Sequence, residues 1–455
     1  MTTHRVTRRL SSAMFSSEAM SHVFSAESTV QRMLDMEAAL ARALAAEGII
    51  PASAASVITD ACRADNIDLA ALEQDAGKAG NLAIPLVKQL TTLVAARDPE
   101  AARHVHWGAT SQDVIDTGSV LQLREALQLL TVELAELADA LASVAHQYRA
   151  TPMMGRTWMQ HALPITLGLK AAGWLDALMR HQDRLAASRR QVNVLQFGGA
   201  AGSLASLGDQ GLAVAHALAK ELELTLPATP WHAHRDRVTE VATTLGLLTG
   251  TLGKIARDIS LQMQTEVAEL SEPVAKGRGG SSTMPHKRNP VGCAAVLTAS
   301  TRVPALVSTM LSAMVNEHER ALGGWQAEWD TLPEIAELTG AALTQLRSVI
   351  EGLQVNEKRM RANIDATQGL VMAEAVSLAL GRHLGRSAAH EHVEAACAQA
   401  LATSQSLREV MLSNPQAVQL LGTDGIDKLF DPANYLGEAT SFVDRVLEAH
   451  RQRKA

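Results

Sequence analysis

The most constraining feature of this sequence is a set of long, unbroken apolar seams. One begins at Val120 and Leu123 and reaches Tyr148 in alternating steps of three and four residues. Another runs in the same way from Val238 to Ile259. This spacing is typical of helices that pack along their length in a bundle or coiled coil. At about 1.5 Å per residue, each helix would extend over tens of ångströms.

Three more helical patterns of similar length cover about 166–195, 291–314 and 331–353. The composition also favours helices over strands, because only 3% of the 455 residues are aromatic while Ala and Leu abound. Leu247 lies off the seam beside Leu248, and a helix with such a wide apolar stripe needs more than one neighbour. We therefore predict an all-α protein whose bundles pack together in an oligomer, with a large monomeric bundle as the alternative.

Changes in pattern divide the chain into three segments. Residues 1–109 contain a helical pattern over 30–44 and further pieces to about 96, which predict an N-terminal helical domain. The five long patterns lie in 110–353, the predicted central bundle domain with the candidate site loops. Residues 354–455 show shorter helical patterns and form a predicted C-terminal helical domain.

Charge and cysteine usage narrow the function classes. The net charge is −7 without a long Lys/Arg run, so a nucleic-acid partner has little electrostatic support. Cys62, Cys293 and Cys397 lie far apart without CxxC spacing, which favours a reducing cytoplasm over a disulfide framework or zinc pattern. No secretory signal is predicted. The longest uncharged run, 191–208, is broken by glycines and polar residues, so no membrane span is predicted either.

The chemically most distinctive segment is GGSSTMPHKRNP at 279–290. Glycine permits backbone shapes that other residues resist, and proline fixes φ and removes a donor. Two hydroxyls, a histidine, two cations and an amide lie between them. The segment predicts a shaped, cationic loop that could close over an anion, with a surface turn rich in Gly, Ser and Lys as the alternative.

Four further loops adjoin the long helices. They read TSQD at 110–113, GRTWMQH at 155–161, QFGGAAGS at 196–203 and WHAHRDR at 231–237. Helix N-termini attract anions, so several such ends would make a polyanion site together with the nearby cations Arg156, Arg235, Arg237, Lys287 and Arg288.

Each of these loops also has a structural interpretation. Thr110, Ser111 and Asp113 could be helix N-caps, and 198–203 could be an ordinary loop. The paired histidines could bind a metal, but no Cys or carboxylate completes a set of known spacing around His104/His106 or His232/His234.

In order and spacing, these segments resemble the signatures of the fumarase/aspartase superfamily. The matching pieces are GATSQDxxDT at 108–117, GRTxxQHAxP at 155–164, QFGGAxGS at 196–203 and GGSSTMPHKRNP at 279–290. The likeness covers nearly the whole chain and is greatest for the muconate-lactonizing branch. It implies three-domain subunits in a homotetramer, a central 20-helix bundle, active sites shared among three subunits, and no cofactor or metal.

The resemblance also implies a chemistry, reversible β-elimination. A proton leaves the carbon next to a carboxylate, and a leaving group departs from the next carbon. Lactonization of a small polycarboxylate such as a 3-carboxymuconate fits this scheme in reverse, through an aci-carboxylate that preorganised donors stabilise. The alternatives are a 3-sulfo or other 3-substituted muconate, a lyase of the adenylosuccinate lyase type, and a non-catalytic structural relative.

Residue by residue, the resemblance assigns roles in the site. Ser281 matches the catalytic serine, which would transfer the proton, and Gly280 and Ser282 shape the same loop around the developing charge. The positions matched to substrate binding are Thr110 and Ser111 as hydroxyl donors, Lys287 and Asn289 as carboxylate binders, and Gln160 and Arg235 as further contacts.

One position departs from the pattern. Trp158 stands where many relatives have a histidine linked to protonation of the leaving group. An internal carboxylate is a good leaving group and stays attached, so it needs less acid assistance. The departure is consistent with a lactonizing enzyme and leaves His106 and His161 as candidates for a general acid or a binding group.

Overall fold

The computed structural model describes residues 14–273, 279–280, 283–284, 286–320 and 322–454 of the chain. This part contains eighteen α-helices and four short strands, so the predicted all-α class is confirmed. The predicted helix over 30–44 is the middle of a longer one that begins after the cap residue Ser25. The N-terminal helices are α1 (Glu18–Val23), α2 (Ala26–Ala46), α3 (Ala52–Ala61), α4 (Leu69–Ala79) and α5 (Ala83–Ala95).

All five long patterns are helices in the structure. They are α6 (Ser111–Gln147), α7 (Leu167–Val192), α9 (Asp236–Gln262), α10 (Val291–Ala313) and α11 (Gly324–Glu351), with the shorter α8 (Gly211–Glu221) between the second and third. The longest has 37 residues, which corresponds to about 55 Å. The seams are buried as predicted, because Leu123, Leu130 and Leu248 are at most 1% exposed.

A β-hairpin lies where the sequence analysis placed a loop. Strand β1 (Pro152–Thr157) pairs antiparallel with β2 (Gln160–Thr166). The turn residues Trp158 and Met159 have φ values of 51° and 64°, a conformation that Asn and Gly adopt far more readily in two-residue hairpin turns. The prediction of a loop is therefore wrong for all but the turn, because the sequence carries no ordinary hairpin signal.

The C-terminal part contains short helices around a core that includes Leu380, Leu407 and Met411. Ahead of it, β3 (Leu270–Ser271) pairs antiparallel with β4 (Gln354–Val355). The helices are α12 (Glu357–Asp365), α13 (Ala373–Leu384), α14 (Arg386–Thr403), α15 (Leu407–Ser413), α16 (Pro415–Leu421), α17 (Thr423–Leu429) and α18 (Ala439–Gln452).

The chain divides into two compact units. Unit 1 comprises Met1–Leu134, His181–Gly253 and Ala295–Thr344, and unit 2 comprises Ala135–Arg180, Lys254–Ala294 and Gln345–Ala455. The boundaries fall inside the five long helices. They do not coincide with the predicted boundaries at 109/110 and 353/354, so the three-domain division stays a prediction.

Candidate active site

Asp113 joins three of the predicted site loops in unit 1. Its Oδ1 accepts hydrogen bonds from Nε2 of His232 at 2.8 Å and from the Gly198 N–H at 3.0 Å. Its Oδ2 accepts from the N–H groups of Gly199 at 2.9 Å and Thr110 at 3.0 Å. The carboxylate is fully buried. These bonds bring the segments 110–113, 196–203 and 231–237 together, as the sequence predicted.

Glycine at position 198 allows the segment 196–203 to lie close to Asp113. A Cβ on Gly198 would lie 2.7 Å from the Pro230 side chain, so a larger residue would push the loop away from Asp113. His232 is held by a carboxylate, and the described residues contain no group of three or more His, Cys, Asp or Glu side chains that could hold a metal ion.

Arg320 organises the hydroxyls at the start of α6. Its Nη1 donates to Oγ1 of Thr110 at 2.8 Å, and its Nη2 donates to Oγ of Ser111 at 3.1 Å. A hydroxyl that accepts from arginine keeps its own O–H to donate elsewhere. The side chains of Thr110 and Ser111 therefore both contact the guanidinium of Arg320, and their predicted binding of a substrate carboxylate stays a prediction.

Sequence reasoning assigned no role to Arg320. The signal that could have found it is the run EHER at 317–320 just before α11. Two carboxylates and a histidine surround the arginine in that run, so its charge alone did not single it out.

Arg235 lies in a buried ion cluster. Its guanidinium donates to Asp116 at 2.8 and 3.0 Å and to Glu328 at 2.6 to 3.2 Å, and the residue is only 3% exposed. Trp325 Nε1 also donates to Asp116 at 2.9 Å. Although burial alone would lower the pKa of Arg235, the two carboxylates raise it above its usual value. The geometry gives Arg235 a structural role, and its predicted contact with substrate stays a prediction.

Arg156 is likewise neutralised, within unit 2. Its guanidinium donates to both oxygens of Glu269 at 2.8 and 2.7 Å, and Glu269 also accepts from Asn363 at 2.8 Å. Glu269 is fully buried. This bidentate pair anchors the β-hairpin, so Arg156 does not offer the free positive charge expected from the sequence.

The hairpin presents its tip to the surface of the subunit. Trp158 is 98% exposed and Met159 is 73% exposed. Gln160 and His161 follow on β2 and are also exposed. Partial burial and the nearby charge of Arg156 lower the pKa of His161, so the neutral imidazole is favoured at this position.

The signature loop is closed at its base. Gly280 and Arg288 form an antiparallel bridge, and the Asn289 N–H donates to the Gly279 carbonyl at 2.9 Å. Lys287 is exposed. The described positions agree with the predicted shaped loop, whereas Ser281 and Ser282 lie outside the described residues.

The helix that follows this loop has its N-terminus occupied. Glu272 accepts from the Gly292 N–H at 3.0 Å and from the Cys293 N–H at 2.7 Å. A buried carboxylate at this end already satisfies the free N–H groups and the helix dipole. The expectation that the start of α10 attracts a substrate anion is therefore not supported.

A second histidine, His106, differs from His161 in the direction in which its surroundings shift its pKa. His106 Nδ1 lies 2.5 Å from Oε1 of the buried Glu37. Burial lowers the pKa of His106, but Glu37 and, more weakly, Asp113 raise it, and the net pKa is above the usual value. When the surroundings of two titratable groups shift their pKa values in opposite directions, one group is suited to act as an acid and the other to act in its neutral form. His106 is thus the better imidazolium of the two candidates.

The predicted site residues are divided between the two units. Thr110, Ser111 and Arg235 belong to unit 1, together with Arg320 and His106. The remaining described positions, Gln160, His161, Gly280, Lys287 and Asn289, belong to unit 2.

Comparisons with known proteins give a consistent result. A family described as Lyase matches residues 14–305, and one described as Adenylosuccinate lyase C-terminus matches residues 369–446. The chain is 54% identical to 3-carboxy-cis,cis-muconate cycloisomerase of Pseudomonas aeruginosa, over 97% of this chain and 96% of that protein. It is 52% identical to the protein of that name from Bradyrhizobium diazoefficiens, over 96% and 97%.

A solved structure agrees with these sequence comparisons. The crystal structure of 3-carboxy-cis,cis-muconate lactonizing enzyme from Pseudomonas putida superimposes with a TM-score of 0.95 at 52% identity. The match covers 98% of this chain and 100% of the other. The arrangement of helices and the hairpin is therefore that of a known fold.

Proposed function

Because the chain belongs to the lyase family of the fumarase/aspartase superfamily, we propose that it catalyses the reversible lactonization of 3-carboxy-cis,cis-muconate to a carboxymuconolactone. The observation that carries this proposal is its identity of 50–54% to four relatives of that activity, over 93–97% of the chain. The step would belong to aromatic catabolism through protocatechuate, as the resemblance implies.

The roles that the resemblance assigns, together with Arg320, account for the reaction. Thr110, Ser111 and Arg320 bind one carboxylate of the substrate, and Lys287 with Asn289 binds another. A third carboxylate attacks the conjugated double bond and forms the ring C–O bond. The π electron pair of that double bond moves onto the neighbouring carbon and its carboxylate. The Ser281 hydroxyl then protonates that carbon, and the resulting alkoxide is stabilised by the cations and N–H groups of the signature loop.

The test is a direct assay. We would mix the purified protein with 3-carboxy-cis,cis-muconate, without added metal, and follow the loss of the ultraviolet absorbance of the diene. Rapid loss is expected. The 3-sulfo analogue, compared by kcat/KM, decides which 3-substituent is preferred. No loss with folded protein would overturn the assignment, and turnover of adenylosuccinate would replace it with a fumarate-releasing lyase.

Replacing Arg320 by methionine is expected to lower kcat/KM about 100-fold, mainly through KM. The substitution keeps the length and packing of the stem but removes the guanidinium that holds the Thr110 and Ser111 hydroxyls. Arg361→Met, which removes an exposed cation paired with Asp365 in α12, is the control. An unchanged KM for Arg320→Met would contradict this role.

We propose that the enzyme is a homotetramer whose active sites combine loops of three subunits. Large apolar residues on the long helices support this, because Val132, Leu247 and Leu311 are 46–57% exposed in the subunit. The apolar helix α10 has only 28% of its most apolar 18-residue window buried. By length and composition it could also cross a membrane, but packing against other subunits accounts for the same apolar surface.

Leu247→Glu is expected to dissociate the tetramer into smaller species, because a carboxylate in an apolar interface loses its hydration. Analytical ultracentrifugation measures the change directly. Leu401 is 68% exposed on α14, outside the long helices, and Leu401→Glu should stay tetrameric. A Leu247→Glu protein that remains tetrameric would remove this residue from the interface.

We further propose that the enzyme acts in the cytoplasm and uses no metal or cofactor, as the resemblance implies. The three cysteines are free thiols, which suits a reducing compartment. The chemistry needs only carboxylate binding and one proton transfer, and the groups assigned above supply both.

A further inference from the structure

We propose that Glu37 is a positioning residue of the active site, which holds His106 as an imidazolium whose Nε2–H is directed to a substrate carboxylate. This inference rests on the proposed function and deepens it. It adds a charged donor next to the hydroxyls of Thr110 and Ser111, and it gives a role to a buried glutamate of α2 that the mechanism above does not use.

The contact between the two side chains is short and buried. Glu37 Oε1 lies 2.5 Å from His106 Nδ1, and the side chains are 1% and 20% exposed. Glu37 is surrounded on α2 by core residues such as Met33, Met36 and Leu40. Its other oxygen has no hydrogen-bond partner among the described residues. A buried carboxylate is costly unless a counter-charge compensates it, and the imidazolium of His106 is that counter-charge.

The backbone holds the ring on this contact. His106 has a φ of 60°, a left-handed conformation that is uncommon for residues other than glycine. Gly108, two residues later, has a φ of 80°, and a Cβ there would lie 2.8 Å from the side chain of Leu207. Such conformations persist where the surrounding structure imposes them, and they concentrate at functional sites.

Asp113 connects this pair to the binding hydroxyls. Its carboxylate accepts from the Thr110 N–H at 3.0 Å. It also lies near enough to His106 for its charge to raise the histidine's pKa, after the larger effects of burial and Glu37. His106 is therefore near the start of α6, where Thr110 and Ser111 lie.

Cys62 is a titratable group near Glu37, and it does not carry a charge there. Cys62, the residue after α3, has its pKa raised by burial first and by Glu37 second. The thiol therefore stays neutral through the physiological range. The carboxylates that raise the pKa of His106 are Glu37 from α2 and Asp113 from α6.

The chemistry needs such a cation at a carboxylate. In ring opening the lactone oxygen departs as a carboxylate, and an imidazolium N–H stabilises its growing negative charge without transferring a proton. The histidine that many relatives use is Trp158 here, and His161 favours its neutral form. His106 is thus the imidazolium in the described part of the site.

The pH dependence has a definite sign. Because the folded protein raises the pKa of His106, the imidazolium is complete at low pH and is lost as pH rises through that raised pKa. Removing the charge of Glu37 lowers the pKa of His106. The alkaline limb of kcat/KM in Glu37→Gln therefore moves to lower pH.

Two measurements on the assembled enzyme test the proposal. Histidine C2-hydrogen exchange, followed by mass spectrometry without substrate, reports the titration midpoint of His106. We expect this midpoint to move to lower pH in Glu37→Gln. We also expect kcat/KM at alkaline pH to fall about tenfold or more, mainly through KM. Asp35→Asn removes a more exposed carboxylate from the same helix and should leave both readings unchanged.

The outcomes separate the proposal from its alternatives. If the exchange midpoint of His106 is the same in Glu37→Gln as in wild type, the proposal is overturned. It is also overturned if that midpoint moves while the alkaline limb of kcat/KM does not, because the pair would then be structural only. If Glu37→Gln does not fold, His106→Gln replaces it and should abolish the alkaline limb. If the wild-type enzyme is inactive on the muconate, the proposed function and the substrate role of His106 are both overturned. The exchange midpoint of His106 still decides whether Glu37 sets the charge of His106.

Discussion

Ser281→Ala is expected to lower kcat for lactonization by about 10²–10⁴-fold. The substitution removes the hydroxyl that is proposed to protonate the carbon next to the substrate carboxylate. KM should change little, because Thr110, Ser111 and Lys287, the proposed carboxylate binders, remain. Stopped-flow measurement of the diene absorbance separates kcat from KM.

The adjacent hydroxyl provides the matched control. Ser282→Ala changes the same loop by one oxygen atom, and its predicted contribution is to the shape of the loop. We expect a loss of less than about tenfold in kcat for this variant. Equal losses for both variants would mean that the loop is disturbed as a whole, and a Ser281→Ala enzyme with more than a tenth of the activity would contradict the assignment.

Arg235→Met is expected to destabilise the protein by about 3–5 kcal/mol, since breaking a buried ion cluster leaves uncompensated charges. Asp116 and Glu328 would remain buried without the guanidinium that now binds both. For a chain of this size the melting temperature would fall by roughly 3–5 °C. Differential scanning calorimetry measures this change.

The pH dependence of the destabilisation by Arg235→Met gives a second test of the structural role of Arg235. Burial already raises the pKa of Glu328, and loss of Arg235 would raise it further. A raised carboxyl pKa costs stability at high pH, and protonation relieves that cost as pH falls. The difference in melting temperature from wild type should therefore narrow at mildly acidic pH.

The control for this variant is Arg361→Met, which breaks an exposed pair of side chains that are 56% and 55% accessible. Exposed pairs contribute only about 0–1 kcal/mol. The same experiments distinguish the two roles considered for Arg235. If Arg235 contacts substrate, KM of Arg235→Met rises sharply while the melting temperature stays near that of wild type. If Arg235 is structural, the melting temperature falls and KM changes little.

The architecture was predictable because its signals are periodic and local. The steps of three and four along α6 and α9 define helices and their buried faces without any long-range information. The signature loop was equally visible, because Gly279, Pro285 and Pro290 interrupt a helical pattern in a fixed order. The hairpin at Trp158 and Met159 was missed because its turn uses residues that rarely adopt positive φ.

The roles of the arginines were not predictable in the same way. The sequence marked Arg156 and Arg235 as cations near helix ends, but their carboxylate partners lie 93 to 119 residues away in the chain. Only the fold brings those partners into contact and pairs both cations with buried carboxylates. Arg320 shows the reverse case, since the fold places it against hydroxyls 209 and 210 residues earlier.

The sequence by itself determined the helical class, the five long helices, the segments that carry the chemistry and the family. These follow from short-range periodicity and from residue order within single loops. The tertiary structure decided which arginines are paired with buried carboxylates, which helix end is already capped by Glu272, and which histidine lies against the buried Glu37. Those properties depend on burial and on contacts between distant segments, because a charge in a protein takes its pKa and its role from the groups packed around it.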